Sequence, residues 1–125
     1  MTPIKECLIN KSTKTNPVWL MRQAGRYLPE FREIRKSNPD FIKLCLNHTL
    51  SEEITLQPIK RFGFDAAIIF SDILMVPYGI GQSVEFKKNF GPSLGNIDLN
   101  KLLSVTKNSF TEKLLPVYKL SLIHI

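Results

Sequence analysis

Apolar positions change their spacing from one stretch of the chain to the next, and the changes mark out short helices and strands. The most telling stretch is Ala66-Ala67-Ile68-Ile69-Phe70, five apolar residues without alternation. A run that is apolar on every side predicts a strand buried on both faces, as in parallel sheets covered by helices. The preceding stretch predicts a helix through Ile54 and Ile59 to Phe62. Thr49-Leu50-Ser51-Glu52 has capping-box spacing at its start, and Gly63 is a stop signal. Pro58 inside it predicts a kink or a shorter helix. Helix, glycine turn, buried strand and then the polar pair Ser71-Asp72 together predict an α/β fold. In such folds chemistry gathers where strands end, which makes Asp72 a candidate functional residue. Asp65, at the other end of the strand, reads as a structural turn residue.

The remaining pattern is of the same kind. Pro17 to Met21 reads as a short extended segment after a polar linker, Lys11 to Asn16. Pro29 fits the first turn of a helix carrying Phe31 and Ile34 inward, which Ser37-Asn38-Pro39 ends. A second short helix carries Phe41, Leu44 and Cys45 and stops near Asn47. Pro77 to Gly81 reads as a loop, Ser83 to Phe86 as a strand, and Lys87-Lys88-Asn89 with Gly91-Pro92 as a turn. Leu99 to Leu103 is weakly patterned. A last helix is predicted from near Phe110, with Leu114 and Leu115 inward, before an apolar tail, Leu120 to Ile125, without a stop signal.

Charge sharpens one place in this picture. The 125 residues carry a formal net charge of +6, which suits anionic partners without choosing among them. Four of the five arginines, Arg22, Arg26, Arg32 and Arg35, fall within one neighbourhood, while the twelve lysines are scattered. A guanidinium grips a carboxylate or phosphate with two parallel bonds, so the cluster points to recognition by geometry as well as charge. Gln23 adds donors and an acceptor, and Gly25 allows a bend or a close approach. Other chemistry is not indicated. Cys7 and Cys45 lack metal or redox spacing and read as reduced, structural thiols. Gly79-x-Gly81 lacks the third glycine of a dinucleotide fingerprint. Met1 to Lys14 lacks the apolar core of a secretory signal, and no run reaches membrane-span length, so a cytoplasmic location is expected.

Two long motifs then carry a resemblance. Pro17 to Arg32, with Met21-Arg22-Gln23-Ala24-Gly25-Arg26-Tyr27-Leu28-Pro29-Glu30-Phe31 at its centre, resembles the amino-terminal signature of the uroporphyrinogen decarboxylases. Phe64 to Leu74, with Ser71-Asp72, resembles the first barrel strand and catalytic aspartate of that family. The likeness runs from about Pro17 to Tyr118. It implies the amino-terminal part of a (β/α)8 barrel, incomplete in this chain, and a cofactor-free, metal-free cytoplasmic homodimer. The implied reaction removes carbon dioxide from the four acetate side chains of uroporphyrinogen. By the same resemblance Arg22 and Arg26 bind substrate carboxylates, with Gln23, Ala24 and Gly25 as the wall between them. Arg35 binds a further carboxylate, and Phe31 offers an apolar face beside it. Asp72 accepts hydrogen bonds from the pyrroles and stabilises the transition state. The proton donor is left open between Arg22 and an ordered water.

A barrel of this kind needs about 250 residues or more. By the resemblance these 125 read as roughly the first third of the family's barrel, with residues 120–125 off the family's pattern. The family's later tyrosine, serine or threonine, and histidine have no counterpart, and neither His48 nor His124 takes that histidine's place. The expectation is that this chain alone is poorly folded and inactive. A stand-alone basic module binding porphyrinogens or other polyanions is the alternative. A nucleic-acid partner has only net charge in its favour, with no reading motif and no interleaved aromatic and basic face.

Overall fold

The structure is a computed structural model that describes residues 2–11, 14–87 and 90–123, except the side chains of 118 and 120–123. It divides into two compact units, Met1–Ser37 with Glu52–Phe70 and Asn38–Ser51 with Ser71–Ile125. The described elements are a mixture of helix and strand. The longest helix of the first unit, α4 (His48–Phe62), has its first turn counted with the second.

Besides most of α4, the first unit holds α1 (Pro3–Asn10) and α2 (Pro29–Ser37). Helix α1 was not anticipated, and none of its residues is buried. Pro3 opens it, where the missing N–H goes unnoticed, and Lys11 closes it at φ 53°. As expected, α2 starts at Pro29 and ends at Ser37. Leu28, Phe31, Ile54 and Pro58 are buried in this unit. The Phe31 ring meets Phe70 edge-on, with centroids 5.7 Å apart, an arrangement that aromatic quadrupoles favour. Helix α4 runs unbroken past Pro58 to Phe62, and Gly63, at φ 67°, stops it with an N–H bond to the Ile59 carbonyl. Its cap is Asn47 and not Thr49, since the Asn47 side-chain oxygen accepts from the Leu50 N–H at 3.1 Å. The Thr49 hydroxyl is turned to His48 Nδ1 instead.

The predicted strand is the main correction. Residues 66–70 form no strand, and Ala67 and Ile68 are exposed, so both faces are not buried. A ladder needs a neighbouring backbone, and here side chains take that place. Gln23 bonds to the Ala66 carbonyl and the Ile68 N–H, and Thr55 Oγ1 accepts from the Phe70 N–H at 2.8 Å.

In the second unit α3 (Phe41–Leu46) is opened by Asp40, whose carboxylate accepts from the Lys43 N–H. Buried Ser51 shares its hydroxyl proton between the carbonyls of Leu44 and Cys45, each at 3.1 Å, closing the end of α3. Both cysteines are free thiols. Where a loop was expected the chain makes α5 (Met75–Gly79), because Met75 and Gly79 are drawn into the core. Strands β1 (Val84–Lys87) and β2 (Gly91–Leu94) pair antiparallel, with Val84 opposite Leu94 and Lys87 opposite Gly91. Gly91-Pro92 thus opens a strand and does not form the turn itself; a two-stranded sheet is all edge, where proline is tolerated. This is the one sheet among the described residues, and it is not parallel. Phe86 on β1 meets Phe41 edge-on at 5.0 Å.

Asp98 caps α6 (Leu99–Leu103) through the N–H groups of Asn100 and Lys101. Helix α7 (Lys107–Ile123) starts earlier than the pattern suggested because Thr106 and Ser109 cap each other. Each side-chain oxygen accepts the other's backbone N–H at 3.1 Å, the reciprocal logic of a capping box. Leu114 is buried, but Leu115, expected inward beside it, is 41% exposed. Successive helical residues point about 100° apart, so a narrow contact face cannot hold both. The tail stays helical as far as Ile123, and His124 and Ile125 lie outside the described residues.

Helices α3 and α5 both pack on α7. At Gly79 a Cβ would lie 2.5 Å and 2.8 Å from two ring carbons of Phe110. Gly79→Ala is therefore expected to cost about 1–3 kcal/mol of stability. A thermal melt followed by circular dichroism reads this directly, and an unchanged midpoint would contradict the α5–α7 contact.

Candidate functional site

The arginine-bearing turn lies wholly within the first unit, and its backbone is held by three side chains. Gln23, only 3% exposed, donates from Nε2 to the Ala66 carbonyl at 2.8 Å and accepts from the Ile68 N–H at 3.2 Å. The Tyr27 hydroxyl donates to the Gln23 carbonyl, and the Tyr27 ring stacks on Phe62 with centroids 6.4 Å apart. Arg32 reaches back from α2 and donates from Nη1 to the carbonyls of Arg26 and Tyr27, at 2.9 and 3.2 Å. The Leu28 N–H closes the turn on the Gly25 carbonyl at 3.0 Å. Together these contacts satisfy backbone groups that an irregular loop would leave to water.

The two arginines that flank the turn are treated differently. Arg22 and Arg26 are exposed, and neither guanidinium makes a hydrogen bond or ion pair among the described residues. Ala24 and Gly25 between them are half-buried. Gly25 is not in the left-handed region, and a Cβ there would meet only the Tyr27 ring, at 3.6 Å. The turn itself therefore does not require glycine. Phe31 is packed inward against Phe70, and Arg35, one turn later on α2, is half-buried. Asp65 has the structural part expected of it. Its carboxylate accepts from the Val18 N–H at 2.7 Å, and its own N–H donates to the Val18 carbonyl.

Asp72 belongs to the second unit and is half-buried. Its Oδ1 accepts from the Leu74 N–H at 2.8 Å, and its carbonyl accepts from the Met75 N–H, which turns the chain into α5. Its other oxygen, Oδ2, has no partner among the described residues. One oxygen thus shapes the backbone while the other stays available as an acceptor. The same unit has a cavity of about 390 Å³ between Gly81 and Lys101, lined in part by Ser83 and Asn96, which Asp72 does not line. Among the described residues no three metal-ligating side chains gather, and no helix is long and apolar enough to cross a membrane.

An exposed pair of guanidiniums on a stapled turn suits a ligand with several carboxylates, and comparison with known proteins gives that chemistry a family. The profile of the family described as Uroporphyrinogen decarboxylase (URO-D) matches residues 2–121. The chain belongs to this family. A uroporphyrinogen decarboxylase of Chelativorans sp. (strain BNC1) is 48% identical over 114 residues, which is 91% of this chain and 33% of that protein. Those of Brucella ovis and Brucella canis are each 50% identical over 103 residues, 82% of this chain and 30% of theirs. The chain spans about a third of the length of these relatives.

The turn shows a division of labour that the residue types alone concealed. Arg32 sat in the same cluster as Arg22 and Arg26, yet its guanidinium is bonded to backbone carbonyls. From six residues after Arg26 its side chain reaches back from α2 to the turn, a direction that residue type does not reveal.

The turn enters α2 at Glu30, which Arg61 of α4 holds at 2.5 Å. A hydrogen bond from its own backbone N–H, and then Arg61, keep the Glu30 carboxyl below the usual carboxylate range. A depressed folded-state value means stabilisation that is present above the unfolded value and lost as pH falls through the folded one. Arg61→Ala is expected to raise the Glu30 titration midpoint only part of the way, because the backbone bond survives. Carboxyl-carbon NMR across the acid range measures it, and an unmoved midpoint would contradict the pair.

Proposed function

We propose that this chain carries the amino-terminal third of an enzyme that converts uroporphyrinogen III to coproporphyrinogen III by removing carbon dioxide from its four acetate side chains. The observation that carries the reading is the pair of exposed guanidiniums, unpartnered among the described residues, on a turn fixed by other residues. The substrate presents eight carboxylates, and charge-assisted bonds to a preset turn lose little entropy on binding. Arg22 and Arg26 take carboxylates, Ala24 and Gly25 give the turn a bare surface between them, and Arg35 holds a further carboxylate. In this reading the whole enzyme is a (β/α)8 barrel, cytoplasmic and homodimeric.

The role of Asp72 follows from where charge develops. Protonating a pyrrole carbon beside the acetate makes the ring cationic. The electron pair of the C–CO₂⁻ bond then flows into the ring, carbon dioxide leaves, and the exocyclic methylene takes up a proton to become a methyl group. The ring proton is returned, so one proton replaces each carbon dioxide. Asp72, whose Oδ2 has no partner among the described residues, accepts from pyrrole N–H groups and stabilises the cationic ring, the reverse in sign of an oxyanion hole.

Because the chain spans a third of its relatives' length, binding of porphyrinogen without turnover is the second reading for the chain by itself. The two separate in a hybrid that continues from Tyr118 of this sequence into the remaining length of the Chelativorans protein. The hybrid is expected to form coproporphyrinogen, and the 125-residue chain is not. A hybrid that melts cooperatively yet makes no product would contradict the decarboxylase reading.

Asp72→Asn in that hybrid keeps an oxygen for the Leu74 N–H and removes the charge. Turnover is expected to fall about 100-fold or more while KM changes far less. Activity within a few-fold of the parent would remove Asp72 from catalysis.

A further inference from the structure

Gln23 lies between the two substrate-facing arginines, but its side chain points the other way, into the protein. Its amide is 3% exposed and spans the Ala66 carbonyl and the Ile68 N–H. In a parallel ladder one residue donates its N–H to the carbonyl of residue i−1 on the neighbour and accepts from the N–H of residue i+1. Gln23 Nε2 and Oε1 make that pair of bonds with residues 66 and 68, so a primary amide stands in for one residue of an adjacent strand. The orientation of the amide is set by its partners, since the flipped form would face donor to donor and acceptor to acceptor. The same residue's backbone carbonyl accepts from the Tyr27 hydroxyl. Gln23 is therefore bonded at three points.

We infer that Gln23 is a positioning residue. Its amide docks the arginine turn on the 66–68 backbone and thereby fixes where the guanidiniums of Arg22 and Arg26 are presented, without itself touching substrate. This rests on the functional reading above for what the arginines hold. The docking itself stands on the two bonds. Losing them leaves every charge in place but frees the turn. Binding that needs several carboxylates gripped at once then suffers more than binding that needs fewer.

Gln23→Met keeps the length and shape of the side chain and removes both bonds, and Gln23→Glu keeps only the acceptor for Ile68. Both are made in the full-length hybrid. Exchange of the Ile68 amide is read by NMR. Dissociation constants are measured for uroporphyrin, with eight carboxylates, and coproporphyrin, with four. In Gln23→Met the Ile68 amide is expected to exchange about tenfold faster. The preference for uroporphyrin over coproporphyrin is expected to drop several-fold. Gln23→Glu is expected to keep Ile68 protected. Partial unfolding lowers the number of binding sites but leaves the ratio of the two constants alone, so the ratio isolates positioning from stability. Unchanged Ile68 exchange in Gln23→Met would overturn the docking. Faster exchange with an unchanged ratio would overturn the positioning role. If the unaltered hybrid binds neither porphyrin, the functional reading fails and the positioning role with it, while Ile68 exchange still reports the docking.

Discussion

A turn that is to hold a polyanion has to meet two demands at once. Its own backbone N–H and C=O groups need partners, and its guanidiniums must not be those partners. Here the demands are met by different side chains. Gln23 serves the neighbouring backbone, Tyr27 and Arg32 serve carbonyls of the turn, and Arg22 and Arg26 are left unspent among the described residues. A single neutral hydrogen bond contributes only about 0.5–1.5 kcal/mol net, so no one contact fixes the loop. Several together set its course, and in the proposed reading the ordering cost of binding a polyanion is lowered accordingly.

The same economy of side chains recurs outside the turn. Asn47 ends α3 with its backbone, whose N–H bonds to the Leu44 carbonyl, and begins α4 with its side chain. Ser51, one turn into α4, returns its hydroxyl to the last carbonyls of α3. Two helices separated by a single residue thus have their facing ends satisfied locally. Asp72 follows the rule in miniature, giving one oxygen to the turn before α5 and keeping the other.

Much of this was legible in the residues themselves, and the failures have common causes. The boundaries of α2 were readable because Pro29 and Ser37-Asn38-Pro39 are strong backbone signals, and Gly63 ended α4 for the same reason. The Thr49 cap was misplaced because Asn47, two residues earlier, competes with it, and only packing decides that Asn47 reaches the free N–H. Helix α1 was missed because it buries none of its residues, and helix α5 because five residues are too few to show a period. The 66–70 run was read as a strand from composition, but strand formation also depends on a neighbour, which composition does not supply. At the site, the arginine cluster and Asp72 stood out by type and place. That Gln23 faces inward and Arg32 grips backbone could not be read, since residue type tells what a group can bond and not which way it points.

The central claim is that the turn's arginines are sorted into two that are free for carboxylates and one that is structural. Arginine Nε–H resonances in the full-length hybrid, followed by NMR as uroporphyrin is added, test it most directly. The account predicts that the Arg22 and Arg26 signals shift with ligand while the Arg32 signal stays where it is. Equal movement of Arg32, or none at Arg22 and Arg26, would contradict it.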